Sequence, residues 1–251
     1  MKQWITQQCR LLMLVVLGSL IISGCSVRSI SNADNGRNQF YAGELSDQDV
    51  LGAMPKQGIS DADIKTALNN SRYTFRLPKD SSILLIQSGA MTPDAEMQKA
   101  LKEYYSVAVF SGIPPNSQRY RGYSSQPATE ETTDYPRLLR STAANGGQDK
   151  IIVYWGQLES GSENEVTKVV SWVPFVGGVL PDETQHMRIV LRVALIDVLS
   201  GRWVTFTPEV FENSAVSGRY NRDSKDLKQI MELKAQAYDA AAKEIFERYG
   251  R

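Results

Sequence analysis

Cysteine is nearly missing from this chain: there are two, Cys9 and Cys25, and a single histidine, His186. Cys9 lies within the N-terminal segment expected to be cleaved and Cys25 just after it, so cleavage leaves one thiol and excludes a disulfide framework. A soft or imidazole-rich metal site has no ligand set either, and neither a metal nor a cofactor is expected. Excess charge of one sign is also absent, with 28 basic residues against 28 acidic ones. Such balance speaks against a nucleic-acid partner or a polybasic membrane patch. No HExxH, GxSxG or GxxxxGK[ST] occurs, which removes the local signatures of zinc peptidases, serine hydrolases and P-loop enzymes.

What is present begins at the N-terminus. Lys2 and Arg10 precede an apolar run from Leu11 to Ile22, followed by Ser23, Gly24 and Cys25. The run is about half the roughly 20 residues of a spanning helix, so it suits a cleaved signal core. The stretch "IISGC" resembles the bacterial lipoprotein lipobox. That resemblance implies cleavage before Cys25, diacylglycerol on its thiol and acylation of the new amine. Ser26, in place of Asp, implies by the same resemblance sorting to the outer membrane, and the domain is separately expected to face the periplasm. Loss of residues 1–24 removes Lys2 and Arg10 and no acid, which leaves 26 basic and 28 acidic side chains. The expected division is a signal peptide over 1–24, the lipidated cysteine with a flexible tether over 25–58, and an α/β domain over 59–251.

Ser60 caps a predicted helix over Asp61–Asn69 with Ile64 and Leu68 on one face. "SSILLIQS" (Ser81–Ser88) is a continuous apolar run, the pattern of a strand covered on both faces. Thr92 as cap, Pro93 at the first position and Asp94 as an early acid open a second helix to about Tyr104, and Tyr105–Phe110 is the next strand. A helix joining two buried strands predicts a parallel crossover. A long polar loop, Ser111–Pro136, leads to a helix over Pro136–Ala144 and a third strand over Lys150–Leu158. Later, alternation from His186 onward and the Ser200-Gly201 turn predict an antiparallel hairpin, its wet face carrying His186, Arg188 and Arg192. The helical period from Asp223 to Tyr249 predicts a long closing helix, with Lys234 interrupting the apolar stripe and snorkelling to water. The fold class is α/β: a single domain with a mixed sheet, a βαβαβ core, a late hairpin and a C-terminal helix.

The lipobox, this order of elements and the hairpin "ALIDVLSGRW" together resemble the periplasmic lipoprotein domains related to the N-terminal domain of TolB. That group includes the curli-secretion lipoprotein and the lipoprotein activators of penicillin-binding proteins. The resemblance implies a secretion or cell-wall accessory protein.

Two segments stand out as binding candidates. "NSQRYRGYSS" sets Arg119 and Arg121 beside Tyr120 and Tyr123, residue types favoured at binding hot spots. "VVSWVPFVGGVLPDE" (Val169–Glu183) is a nearly uncharged apolar run containing Trp172 and Phe175. Eight large apolar side chains left in water would forgo more than about 10 kcal/mol, so something covers them. The cover is the protein's own body, a partner or second copy, or the bilayer reached through the lipid on Cys25. These features favour a non-enzymatic envelope module that binds another envelope protein or itself. The alternative is an envelope hydrolase acting on peptide or glycan through carboxylates that meet in the fold.

Overall fold

The computed structural model describes residues 28–32, 41–52, 59–71, 74–114, 134–163, 170–174, 184–216 and 222–251. Its elements, in chain order, are β1 (Arg28–Ser29), a 3-10 turn (Ile30–Asn32), α1 (Asp47–Leu51), α2 (Asp61–Ser71), β2 (Ser82–Gln87), α3 (Ala95–Lys102), β3 (Ser106–Phe110) and α4 (Tyr135–Asn145). There follow β4 (Lys150–Glu163), β5 (Val170–Pro174), β6 (Thr184–Asp197), β7 (Trp203–Phe206), β8 (Phe211–Val216) and α5 (Arg222–Tyr249).

Among the described residues all eight strands join one mixed sheet whose main path runs β3-β2-β4-β6-β7. β2 pairs in parallel with both β3 and β4. β6 is antiparallel to β4 and to β7. The expected βαβαβ core, late hairpin and closing helix are therefore all in place. β4 and β6 each run 14 residues, longer than predicted, because their far ends find further partners. β5 pairs with β4 over Glu159–Glu163, and β8 pairs with β6 over Thr184–Ile189. Val170–Pro174 of the apolar stretch Val169–Glu183 is thus a strand of the sheet itself.

Both faces of the central strands are covered. On one face, Ile83 and Leu85 of β2, Ile152 and Tyr154 of β4 and Leu191, Val193 and Leu195 of β6 pack against α3 and α5. On the other, Leu84, Ile86, Ile151, Val153 and Ala194 pack against Val50 of α1 and Leu139 of α4. Strands buried on both sides read as the continuous apolar runs seen in the sequence.

The expectation of a flexible tether over 25–58 is corrected for residues 28–32 and 41–52. Ile30, Leu45 and Val50 are at most 3% exposed. Each contributes about 1.5–3 kcal/mol by leaving water, enough to hold a short segment on the body. Gly156 makes room for this docking: a Cβ there would sit 2.6 Å from Ile30 Cδ1. α1 begins in a capping box, with Asp49 N donating to Ser46 Oγ and Ser46 N donating to Asp49 Oδ2. Those bonds satisfy amides that have no partner inside the helix. α2 is capped by Ser60 as expected, yet Ile64 and Leu68 are about half exposed or more and do not form a buried stripe.

Two further expectations change at the start of α3 and in α5. Asp94, not Thr92, occupies the N-cap position, and its side chain makes no cap bond. Instead Asp94 Oδ2 accepts from Tyr238 Oη at 2.6 Å and pairs with Lys234 Nζ at 3.0 Å. Lys234 therefore does not snorkel: the residue is 4% exposed. Asp94 N donates to Gln87 Oε1, which also accepts from Tyr154 Oη, and Gln87 Nε2 donates to Ser31 Oγ. Ser31 Oγ in turn donates to the Ser88 carbonyl. Burial, followed by nearby charge including that of Asp94, holds the phenols of Tyr154 and Tyr238 well above their usual pKa, so both stay protonated donors.

Removing the carboxylate should expose the cost of this arrangement. Asp94→Ala takes the counter-charge from a buried ammonium and is expected to destabilise the fold by about 3–5 kcal/mol in urea unfolding. Lys234→Met, which substitutes an apolar side chain of similar length, should cost clearly less; equal losses would contradict this assignment.

Candidate binding groove

The groove forms where the docked N-terminal segment meets β4 and β6. Its volume is about 430 Å³, and its walls include Glu44, Asp47, Trp155, Gln157, Arg192 and Thr207. Trp155 and Arg192 face each other across the β4–β6 ladder, and alternation along both strands sends them to the same side. The Arg192 guanidinium carbon lies 5.2 Å from the centre of the Trp155 ring, within range of a cation–π contact. Arg192 Nη2 also pairs with Asp47 Oδ1 at 2.8 Å. Trp155 Nε1 donates to the Leu45 carbonyl at 2.8 Å, so the indole is fixed by the segment that walls the groove.

Glu44 adds a carboxyl of different character. Burial raises its pKa, opposed by a hydrogen bond with Ser29, and its Oε1 is buried without a hydrogen-bond partner. Tyr41 is raised by burial first and then by the Glu44 charge, with Ser29 again opposing. One wall thus offers a carboxyl that is reluctant to ionise, and the other a guanidinium held flat on an indole. A planar cation on an aromatic ring can take a carboxylate or carbonyl from a ligand, and the indole edge can take its apolar part. Further along the same sheet face Arg188 pairs with Glu159 at 2.6 Å and approaches Glu212 at 3.8 Å, extending the polar surface.

Cys25, Arg119, Tyr120, Arg121, Tyr123 and Phe175 lie outside the described residues. Trp172 sits in β5, opposite Gly161 of β4. His186 is half-buried on β6 and lies on the strand face shared by Arg188 and Arg192. Among the described residues no cluster of histidine, cysteine, aspartate and glutamate could hold a metal, and no helix is long and apolar enough to cross a membrane.

Glu44 and Asp47 went unnoticed in the sequence because they fall in the stretch assigned to a tether. A local signal was available: Ser46 followed three residues later by Asp49 is a capping-box pattern that announces α1. Alternation alone places Arg192 on the wet face of its strand, whereas the β4–β6 register is what sets Trp155 beside it.

The fold and groove define a class: a single α/β domain whose N-terminal segment is folded back onto the sheet, with a polar, aromatic-floored groove at the seam. The chain belongs to the YafT bacterial lipoprotein family, whose model matches residues 46–248. No curated protein gives a significant match. Among solved structures, PelC of Paraburkholderia phytofirmans, described as a dodecamer, shares 13% identity over 67% of this chain and 92% of its own, with a TM-score of 0.30. Lipoprotein GNA1162 of Neisseria meningitidis shares 10% identity over 62% of this chain and 99% of its own, with a TM-score of 0.27.

The Glu44 environment gives a pH prediction whose sign follows from the direction of the shift. A folded-state pKa above the unfolded value, about 4.3, means that ionisation costs stability as pH rises through the folded pKa. The cost is absent at low pH and complete above that pKa. Glu44→Gln is therefore expected to raise the thermal midpoint relative to the parent at pH 7 and to leave it nearly unchanged at pH 4. A gain confined to acid pH would contradict the direction.

Proposed function

We propose that this envelope lipoprotein is a non-enzymatic binding module, anchored through Cys25 to the outer membrane and facing the periplasm, which engages another envelope protein or a second copy. The supporting observation is the groove: Arg192 stacked on Trp155 at the seam of sheet and N-terminal segment. Arginine and tryptophan are the residue types most enriched where a few side chains dominate binding. The Arg192–Asp47 pair is about half exposed, so it can exchange its carboxylate for a partner's without stranding a buried charge. Trp172 on β5, Phe175 beyond it, and Arg119, Tyr120, Arg121 and Tyr123 belong to this proposal as further contact residues. Kinship with the TolB-related lipoprotein domains is part of it too, supported by the βαβαβ order and the late hairpin.

A second reading, a hydrolase of peptide or glycan, draws on one observation: Glu44, with its raised pKa, shares the groove with Asp47. A carboxyl that burial holds back from ionising, with a second carboxylate paired to an arginine in the same groove, supplies the two acids that glycoside hydrolysis requires.

Four measurements test the anchor and these two readings. Cys25→Ser should leave the protein uncleaved or in the soluble fraction; unchanged lipidation would contradict the anchor. A photo-cross-linking residue at Gln157 should give one discrete adduct in cells, and Arg192→Glu should abolish it without lowering the thermal midpoint. For an isolated partner the same substitution should cost about 2 kcal/mol or more, roughly thirtyfold in Kd. Turnover of cell-wall fragments that Glu44→Gln removes would favour the hydrolase instead.

A further inference from the structure

The register of β4 brings two features of the sequence to one place. β1 and β5 both pair with β4, along the same edge that β2 occupies further back. Arg28 of β1 stands opposite Leu158, and Pro174 of β5 stands opposite Glu159, the next residue of β4. Both strands are antiparallel to β4, so the chain upstream of Arg28 and the chain downstream of Pro174 leave this edge at the same point. Cys25 lies three positions before Arg28, and three residues of extended chain span at most about 11 Å. The cysteine that resembles a lipidation site is therefore confined to the immediate neighbourhood of β5.

From this juxtaposition we propose that β5 rests in the headgroup region of the bilayer that holds the acyl chains of Cys25. The membrane then holds the domain at two points, the lipid and this sheet edge. The inference rests on Cys25 being the lipid anchor, and it assigns Trp172 to the bilayer, leaving the protein contact to the groove and the other residues named for it. Its chemistry follows from β5 itself, "VSWVP", which has no charged residue and carries a tryptophan, a side chain favoured at the membrane interface. β3 and β7 are also uncharged edges. They lie beside the opposite half of the long strands: β3 pairs with β2, which meets β4 only over Lys150–Tyr154, and β7 meets β6 over Val193–Ile196. Only β5 adjoins the chain that enters from Cys25.

The backbone sets the depth. Among the described residues β5 pairs with β4 alone, so its outer edge carries amide and carbonyl groups that need water. Such an edge does not occur in the hydrocarbon core, where each unsatisfied group costs several kcal/mol, but the headgroup region is hydrated. An apolar surface buried about 5–10 Å at the headgroup–acyl boundary matches the reach allowed by three residues.

The test uses the full-length protein, processed in cells, purified and reconstituted into phosphatidylethanolamine–phosphatidylglycerol vesicles in which part of the lipid is brominated near the headgroup. Removal of residues 1–24 takes Trp4 away and leaves Trp155, Trp172 and Trp203 as the emitting residues. Bromine is expected to quench part of the emission of the parent, and Trp172→Phe should remove that quenchable part with the thermal midpoint unchanged. Mass spectrometry of the N-terminal peptide on the same samples reports the acyl chains. Acylated Cys25 with identical quenching in parent and variant would overturn the contact while leaving the anchor standing. An unmodified Cys25 would overturn the anchor and this inference together. A defined oligomer in which Trp172 is shielded from brominated lipid would assign β5 to an interface between copies and overturn the bilayer contact.

Discussion

The side-chain amide of Gln87 is the point on which the other parts converge. It is 1% exposed at the carboxyl end of β2, and all its hydrogen bonds run to other elements. Its oxygen takes the Asp94 amide and the Tyr154 hydroxyl, which fixes the start of α3 against β4. Its nitrogen reaches Ser31, which holds the N-terminal turn beside the sheet. Asp94 carries the connection onward to Tyr238 and Lys234 of α5. A buried polar group costs free energy unless it is satisfied, and a network satisfied in this one way rejects other packings of the same helices. Ser88, the next residue, accepts from Ser31 with its carbonyl and from the Leu45 amide with its hydroxyl. The two halves of the N-terminal segment are thus tied to the end of one strand.

That attachment builds the groove and orients the molecule. With Leu45 fixed, its carbonyl is available to the Trp155 indole, and Asp47 follows in position to meet Arg192. Had residues 41–52 been a free linker, Trp155 would have no wall beside it and Arg192 no acid there. The same docking shortens the leash. Arg28 already pairs with β4, so under the proposed anchor at Cys25 the sheet edge, rather than a chain of some thirty residues, meets the membrane. Groove and β5 lie along one end of the sheet, built on β4 residues from Trp155 to Glu163.

The sequence disclosed the parts of the fold whose periodicity is local. Ile83 to Ile86 form an unbroken apolar run because both faces of β2 are covered, and Ser200-Gly201 turns β6 into β7 because a tight connection fixes the pairing. α5 was legible from Tyr238, Ala242 and Ile245 at helical spacing, all fully buried. What stayed hidden depends on contacts far apart in the chain. Ile30 looks like one apolar residue in a polar stretch, and only the missing side chain of Gly156, more than a hundred residues later, makes its pocket. Lys234 looks like a snorkelling lysine until Asp94 is placed beneath it. β5 and β8 are short strands that exist because β4 and β6 extend past the body and offer them an edge, which no short-range pattern announces. The groove was legible only in its arginine; its carboxylates belonged to residues that composition assigned to a linker.

The central claim is that the N-terminal segment is part of the folded domain, and amide hydrogen exchange on the mature lipidated protein tests it most directly. The amides of Ser31 and Leu45, which donate to Ser29 Oγ and Ser88 Oγ, should be protected nearly as well as Ile152 and Val153 in the middle of β4. Exchange of Ser31 and Leu45 at the rate of an unstructured chain, with β4 still protected, would return the segment to the status of a tether and take the groove with it.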